Sequence, residues 1–109
     1  MRNLITTDLA YLTRIIKRMG IKNEIKALLK EMTEKKSEDI NSIDFGMDIM
    51  FMFIENYDKA EQEVINFIAE LEGKTKEEIK TLPMAQMIGL IQNMLSLDGL
   101  GDFFKLVLR

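Results

Sequence analysis

The sequence predicts an all-α protein, a compact bundle of about six short-to-medium helices in a single domain, residues 1–109. Three observations support this fold class. One proline and six glycines in 109 residues leave few positions that interrupt a helix. Apolar residues recur at steps of three and four, and no stretch alternates convincingly with a period of two. An apolar content of 47% with 30% charged residues is typical of a globular chain with one core.

Two helices are predicted in the first third of the chain. The first begins at Thr7 as N-cap, has Asp8 in its first turn and ends at Gly20. Its predicted inward residues are Leu9, Leu12, Ile15, Ile16 and Met19. The second runs from residue 21 or 22 to residue 36; its inward residues are Ile25, Leu28, Leu29 and Met32, and its outward row is Lys22, Lys26 and Lys30. The sequence KKSEDINS, residues 35–42, is predicted to be a loop, either a simple connection or a subdivision of the domain near residues 36–42.

The middle of the chain predicts two further helices. Ser42 is a candidate N-cap for a third helix, in which Asp44 and Asp48 lie near the positive end of the helix dipole. This helix contains FGMDIMFMFIENY, residues 45–57, and is predicted to break or bend near residues 56–58. Asp58 followed by Glu61 resembles a cap for a fourth helix. That helix is predicted to bury Val64, Ile65, Ile68 and Leu71 and to end at Gly73.

Capping signals divide the last third of the chain. Thr75 with Glu78 forms a capping box, which predicts a short helix over residues 76–80. Pro83 suits the first turn of the next helix, which continues to about residue 96. The closing DGLGDFFKLVLR predicts a short amphipathic helix, whose cap is Asp98 or Gly101 and whose apolar residues are Phe103, Phe104 and Val107.

The composition argues against an enzyme or a metalloprotein. The chain contains no cysteine and no histidine, which removes the commonest general base, the commonest metal ligand and the usual activated nucleophiles. There is no phosphate-binding loop and no calcium-loop spacing. We therefore expect no catalytic residue, no metal and no cofactor. No stretch has the length of a signal peptide core or a transmembrane helix, so no membrane contact is expected.

Two predicted helices carry too few charges for ordinary surface helices. Residues 81–97 contain no charged side chain, and residues 49–54 are apolar without a break. Six successive apolar residues wrap more than one and a half turns, so they cannot all face one core. The chain also contains nine methionines, whose flexible thioethers adapt to varied apolar partners, although they fill cores more often. A central position in the bundle is the alternative to a binding surface. The predicted partner-binding or self-association residues are Met47, Met50, Phe51, Phe53, Ile54, Met84, Met87, Ile91 and Met94.

Charge is unevenly distributed along the chain. Residues 1–36 contain nine Lys or Arg and four Asp or Glu, whereas residues 37–109 contain six and fourteen. The basic part is a solvated face, a nucleic-acid contact, or one end of a head-to-tail attraction between copies. The alternative function is therefore a small helical DNA-binding or regulatory protein, whose contacts would be Arg14, Lys17, Arg18, Lys22, Lys26 and Lys30. No helix-turn-helix follows these residues and the acidic majority repels phosphates, so nucleic-acid binding is not expected.

The second half of the chain has an ordered series of features. A helix ending FIAELEGKT is followed by KEEIKTLPMAQMIGLIQNMLSL and then by DGLGDFFKLV, so that the series covers about residues 64–108. It combines Gly73, the turn 77–79, the Leu82-Pro83 pair and the closing residues 102–105. In this series the chain resembles the small tail assembly chaperones of long-tailed bacteriophages that infect Gram-positive hosts. The first half resembles that family only in its helical character and length.

The resemblance implies a non-enzymatic role. Members of this family are expected to bind the long, coiled-coil-prone tape measure protein and keep it soluble while tail tube subunits polymerise around it. They also tend to self-associate, so a homo-oligomer is expected, and some are made with a frameshifted longer form. The resemblance implies a late protein located in the host cell cytoplasm and absent from the mature virion. It transfers no binding residues, so the predicted surface rests on the residues themselves.

Overall fold

The computed structural model describes residues 1–34 and 43–107, and it confirms the all-α class for that part of the chain. The described residues form seven α-helices and one 3-10 turn, Tyr57–Lys59, and contain no strand. The helices are α1 Asp8–Met19, α2 Lys22–Glu34, α3 Ile43–Glu55, α4 Glu61–Glu72, α5 Lys76–Lys80, α6 Met84–Leu95 and α7 Leu100–Val107. The predicted loop at 35–42, the Ser42 cap and the subdivision near 36–42 lie outside the described residues, as do the side chains of Met32 and Val107.

Local capping signals fix several helix ends as predicted. Gly20 and Gly73 end α1 and α4 in the left-handed conformation, with φ of 68° and 66°, which glycine adopts without a steric penalty. At the start of α5, the Thr75 hydroxyl accepts a hydrogen bond from the Glu78 N–H, and the Glu78 carboxylate accepts one from the Thr75 N–H, each at 3.2 Å. The predicted break near residues 56–58 is the 3-10 turn between α3 and α4.

Helix α4 lies at the centre of the core. It packs against α1, α5 and α6 and against the 3-10 turn, while α3 packs against α6. Its Val64, Phe67 and Ile68 are completely buried. The Phe67 ring stacks on Tyr11 of α1 at 5.2 Å between centroids, so an aromatic contact joins these two helices. One buried cluster draws side chains from all seven helices, the closing Phe103 included.

Three details at helix starts differ from the prediction. Thr7 precedes α1, but its side chain makes no capping bond. Asp8 instead ties the preceding segment to the start of α1, because its carboxylate accepts a hydrogen bond from the Ile5 N–H at 2.8 Å and pairs with Arg2. Leu9, predicted to face inward, is 48% exposed. The residue before α4 is Ala60, without a side-chain capping bond, so the predicted cap by Asp58 and Glu61 is wrong.

Candidate functional site

Helix α3 has an apolar side chain on both of its faces. Ile49 and Phe53 are buried in the core, whereas Met47, Phe51 and Ile54 are exposed by 53%, 61% and 42%. The three exposed residues follow a spacing of four and then three, so they form one stripe along the helix. The core does not need apolar side chains at these three exposed positions, yet all three are large and apolar. Isolated exposed apolar residues are ordinary, but a continuous stripe indicates a contact surface.

Helix α6 continues this apolar surface. Met84 and Ile88, four residues apart, are exposed by 78% and 38%, while Ile91 and Met94, further along the helix, are buried in the core. No residue of α6 is charged, and its other exposed positions are Ala85, Gln86, Gln92 and Asn93. We call Met47, Phe51, Ile54, Met84 and Ile88 together the α3–α6 surface.

A groove of about 660 Å³ lies beside this surface. The end of α3, the start of α4, helix α5 and helix α6 form its walls, and Ile54 belongs both to the groove and to the stripe on α3. Its lining residues are Ile54, Tyr57, Glu61, Gln62, Ile65, Ile79, Lys80, Leu82, Met84, Met87, Ile88 and Ile91. Because most of these side chains are apolar, the groove suits an apolar side chain or a helix edge better than a polar ligand.

The structure divides the nine predicted surface residues into three groups. Met47, Phe51, Ile54 and Met84 are exposed, and Met50 and Met87 are partly buried against the core. Phe53, Ile91 and Met94 are core residues, with 5%, 2% and 2% of their area exposed. Their assignment to a partner surface is therefore corrected. Phe53 lies on the inward side of α3. Ile91 shares the side of α6 that carries Met84 and Ile88, but it lies further along the helix and is buried there. The uncharged stretches that contain these residues do not distinguish buried from exposed positions.

One surface residue was missing from the predicted set. Ile88 is exposed, lines the groove and lies one turn after Met84. Its spacing of four from Met84 is the signal that places it on the same side of α6. The groove also includes Tyr57, whose pKa is raised by burial and, to a smaller extent, by the charge of Glu61. The start of α4 therefore adds a carboxylate to the rim of a mostly apolar groove.

The basic surface of the alternative function is exposed but partly occupied. Lys22, Lys26 and Lys30 are exposed along α2, as predicted. On α1, the Arg18 guanidinium contacts the Glu63 carboxylate at 2.9 Å, and Arg14 lies over the Tyr11 ring at 5.0 Å from its centroid. Arg18 therefore pairs across the contact between α1 and α4, whereas the Arg14 contact lies within α1. The Glu63 carboxylate reduces the charge that Arg18 offers to a phosphate backbone.

Two other kinds of site, a metal site and a membrane-spanning helix, are absent from the described part of the chain. Residues 1–34 and 43–107 contain no group of three or more Asp or Glu placed to hold a metal ion. No helix among them is long and apolar enough to cross a membrane. Comparison of the chain with protein-family models, with curated proteins and with solved structures finds no match. The α3–α6 surface and its groove are thus the candidate functional site on physical grounds.

Proposed function

We propose that this protein is a non-enzymatic tail assembly chaperone, which binds the tape measure protein of a long-tailed bacteriophage and keeps it soluble during tail assembly in the host cytoplasm. The observation that carries the proposal is the α3–α6 surface, where five large apolar side chains are exposed on two neighbouring helices. The series of features over residues 64–108 that resembles the chaperone family supports the same role.

The chemistry of the surface suits a client with long apolar seams. A coiled-coil-prone protein exposes rows of apolar residues at a and d positions before it is assembled. An apolar helix of this kind docks in a groove between helices, with anchors about one turn apart. Two of the five residues of the α3–α6 surface are methionines, and flexible methionine side chains fit successive segments whose side chains differ. Several copies bound along one client would form a coat.

The direct test is the solubility of the client in cells. The tape measure protein encoded in the same phage genome is co-expressed with this chain or with the double variant Phe51→Glu/Met84→Glu. We expect the wild type to move most of the client into the soluble fraction and the double variant to lose that effect. Both positions are exposed, so the variant keeps the fold, which circular dichroism and a urea unfolding midpoint verify.

A matched variant controls for added charge. Gln86 is exposed on α6 about 160° around the helix from Ile88, so Gln86→Glu adds a carboxylate to the same helix outside the proposed surface. It should retain the solubilising effect. A folded double variant that solubilises the client as well as the wild type does would show that the surface is misassigned. Sedimentation of the chain over a range of concentrations tests the proposed self-association separately.

The alternative function has its own test. The exposed row Lys22, Lys26 and Lys30 on α2 is the observation that favours DNA binding. A gel shift at low and moderate salt would reveal it, because phosphate contacts give a steep loss of affinity with salt. We expect no shift at moderate salt.

A further inference from the structure

The α3–α6 surface is bordered by carboxylates. Asp48 and Glu55 are exposed on α3 and lie about 80–100° around the helix from Met47, beside the apolar stripe. The sequence contains no Lys or Arg between residues 36 and 59 and no charged residue in 81–97. Among the described residues that line the groove, Lys80 is the one cation. The charge around this apolar surface is therefore mainly negative.

Asp48 and Glu55 of α3 are not neutralised by the described residues. Elsewhere the structure pairs acidic side chains with cations: Glu63 contacts Arg18 at 2.9 Å, and Glu72 contacts the α-ammonium group of Met1 at 3.2 Å. Asp48 and Glu55 have no ion pair within residues 1–34 and 43–107. These two carboxylates therefore remain available to cations from another molecule.

Glu55 also occupies an unfavourable position in its own helix. It ends α3, whose last turn contains no basic residue. The negative end of the helix dipole lies there and disfavours a carboxylate. At this helix end the Asn56 amide donates to the Met52 carbonyl at 2.8 Å, and the Lys59 ammonium donates to Asn56 Oδ1 at 3.0 Å. Lys59 makes no ion pair with Glu55, so a cation supplied by a bound partner would still gain an interaction with the Glu55 carboxylate. The position of Glu55 thus indicates which charge the partner carries.

We propose that the α3–α6 surface binds an amphipathic helix whose apolar stripe is flanked by Lys or Arg on the side that faces Asp48 and Glu55. The inference rests on the proposed function and specifies the chemistry of the client segment. The stripe on α3 spans two turns, about 10 Å along the helix axis, so a partner helix needs apolar residues at matching spacings of three and four. Cations on one flank then set its orientation and register.

A second copy of this chain fits the surface less well. Its basic helix α2 presents Lys22, Lys26 and Lys30, but none of the described side chains of α2 is a large exposed apolar residue, because Leu28 and Leu29 are partly buried against the core. The described part of α2 therefore offers cations without an apolar stripe, and the two features must come together to fill the α3–α6 surface.

Synthetic peptides test the proposal directly. Three labelled peptides of about 20 residues are titrated with the full chain by fluorescence anisotropy. The first carries a Leu stripe with Lys flanks, the second the same stripe with Glu flanks, and the third is the Lys peptide in an order that destroys the stripe. At low salt we expect the first peptide to bind at least about tenfold more tightly than either of the others, and the difference from the second to shrink as salt rises.

Charge inversion on the chain completes the design. The double variant Asp48→Lys/Glu55→Lys should reverse the preference between the Lys-flanked and Glu-flanked peptides. Glu24→Lys/Asp102→Lys is the matched control, since it inverts two exposed carboxylates on α2 and α7 and gives the same net charge. It should leave the order of affinities unchanged.

The outcomes separate this proposal from the proposed function. Equal binding of the Lys-flanked and Glu-flanked peptides, with both lost in Phe51→Glu/Met84→Glu, overturns the charge preference and leaves the apolar surface in place. If all three peptides bind with the same affinity, or if none of them binds, the result counts against both the charge preference and the proposed function of the α3–α6 surface. If the inversion at 48 and 55 alters only sedimentation of the chain and not peptide binding, the occupant is a second copy and the proposal is wrong.

Discussion

Helices α4 and α3 are similar in length but differ in apolar content and in where their apolar side chains lie. In α4, Val64, Ile65, Phe67, Ile68 and Leu71 are all buried, and the outward positions include Glu61, Gln62 and Glu70. In α3, the inward side is also apolar, yet the outward side carries three large apolar residues. The core is thus large enough to bury the complete apolar face of α4. The exposed apolar side chains of α3 are therefore not explained by a core that is too small.

The two sides of the molecule also differ in their polar contacts. The ion pairs Met1–Glu72, Arg2–Asp8, Arg2–Glu70 and Arg18–Glu63 join the N-terminal segment, α1 and α4, and the capping box fixes α5 beside them. Described residues of α3 and α6 take part in none of these ion pairs. Specific polar bonds therefore hold together the side formed by the N-terminal segment, α1 and α4. The side formed by α3 and α6 is apolar and adaptable, as a binding surface requires.

The largest expected effect comes from two phenylalanines on α3. Phe53→Ala should lower the free energy of unfolding by about 3–5 kcal/mol, because it leaves a cavity in the core. Phe51→Ala, two residues earlier, should change it by less than about 0.5 kcal/mol, since its side chain is mostly in water. Urea unfolding of both variants measures the difference. Similar losses at the two positions would contradict the assignment of an inner and an outer face to α3.

The next largest effect is expected at the ion pair between Arg2 and Asp8, which joins the N-terminal segment to α1. The Arg2 guanidinium donates two hydrogen bonds to the Asp8 carboxylate, at 2.8 Å and 2.9 Å, and Asp8 is only 1% exposed. Arg2→Met should cost about 3 kcal/mol because it leaves a buried carboxylate without its cation. Asp8→Asn should cost less, about 1–2 kcal/mol, because Arg2 is one-third exposed and can be hydrated. Equal losses in the two variants would argue against this asymmetry.

The Arg2–Asp8 pair also makes the stability of the fold depend on pH in a definite direction. The hydrogen bond from Arg2 lowers the pKa of Asp8, against the opposing effect of burial. The ionised pair therefore stabilises the fold fully above the pKa of an unfolded Asp, roughly 4, and this contribution is lost as the pH falls through the lower folded pKa. Unfolding midpoints measured between roughly pH 2 and 6 should drop at the acid end, and the drop should be smaller in Asp8→Asn.

The sequence predicts the fold far better than it predicts the surface. Local signals, such as Gly20, Gly73 and the pair Thr75 and Glu78, determine helix ends through nearest neighbours, and the structure confirms them. The pairing of Arg2 with Asp8 had no such signal, because it depends on how the N-terminal segment folds back. In α3 and α6 the lack of charge correctly marked two helices with exposed apolar residues. It could not separate Phe51 from Phe53, because only packing against neighbouring helices decides which side faces inward.

A smaller effect tests how α5, one wall of the groove, is held. Thr75→Ala removes the hydroxyl that accepts the Glu78 N–H and should lower the free energy of unfolding by about 1 kcal/mol. Thr13 is a matched control, since its hydroxyl is exposed and donates to the Leu9 carbonyl within α1. Thr13→Ala should be neutral or slightly stabilising, because alanine is the better helix former. A loss at Thr13 as large as at Thr75 would mean that the cap is not what anchors α5.

The smallest effect is expected at Gly89, in the middle of α6. A Cβ atom there would meet nothing within 4 Å in this structure, so Gly89→Ala should stabilise the fold by about 0.5–1 kcal/mol through helix propensity. Gly73→Ala is the control of opposite sign, because φ of 66° at the end of α4 disfavours any side chain. Urea midpoints of both variants check the two signs.

The Gly89→Ala variant also tests how closely a bound partner approaches the backbone of α6. Nothing within the described residues requires a glycine at this position, although it weakens a helix that forms part of the proposed surface. If Gly89→Ala raises the unfolding midpoint and also reduces client solubility or peptide binding, the partner approaches the α6 backbone closely enough to exclude a methyl group. If binding is unchanged while stability rises, the contact is confined to the Met84 and Ile88 side of α6.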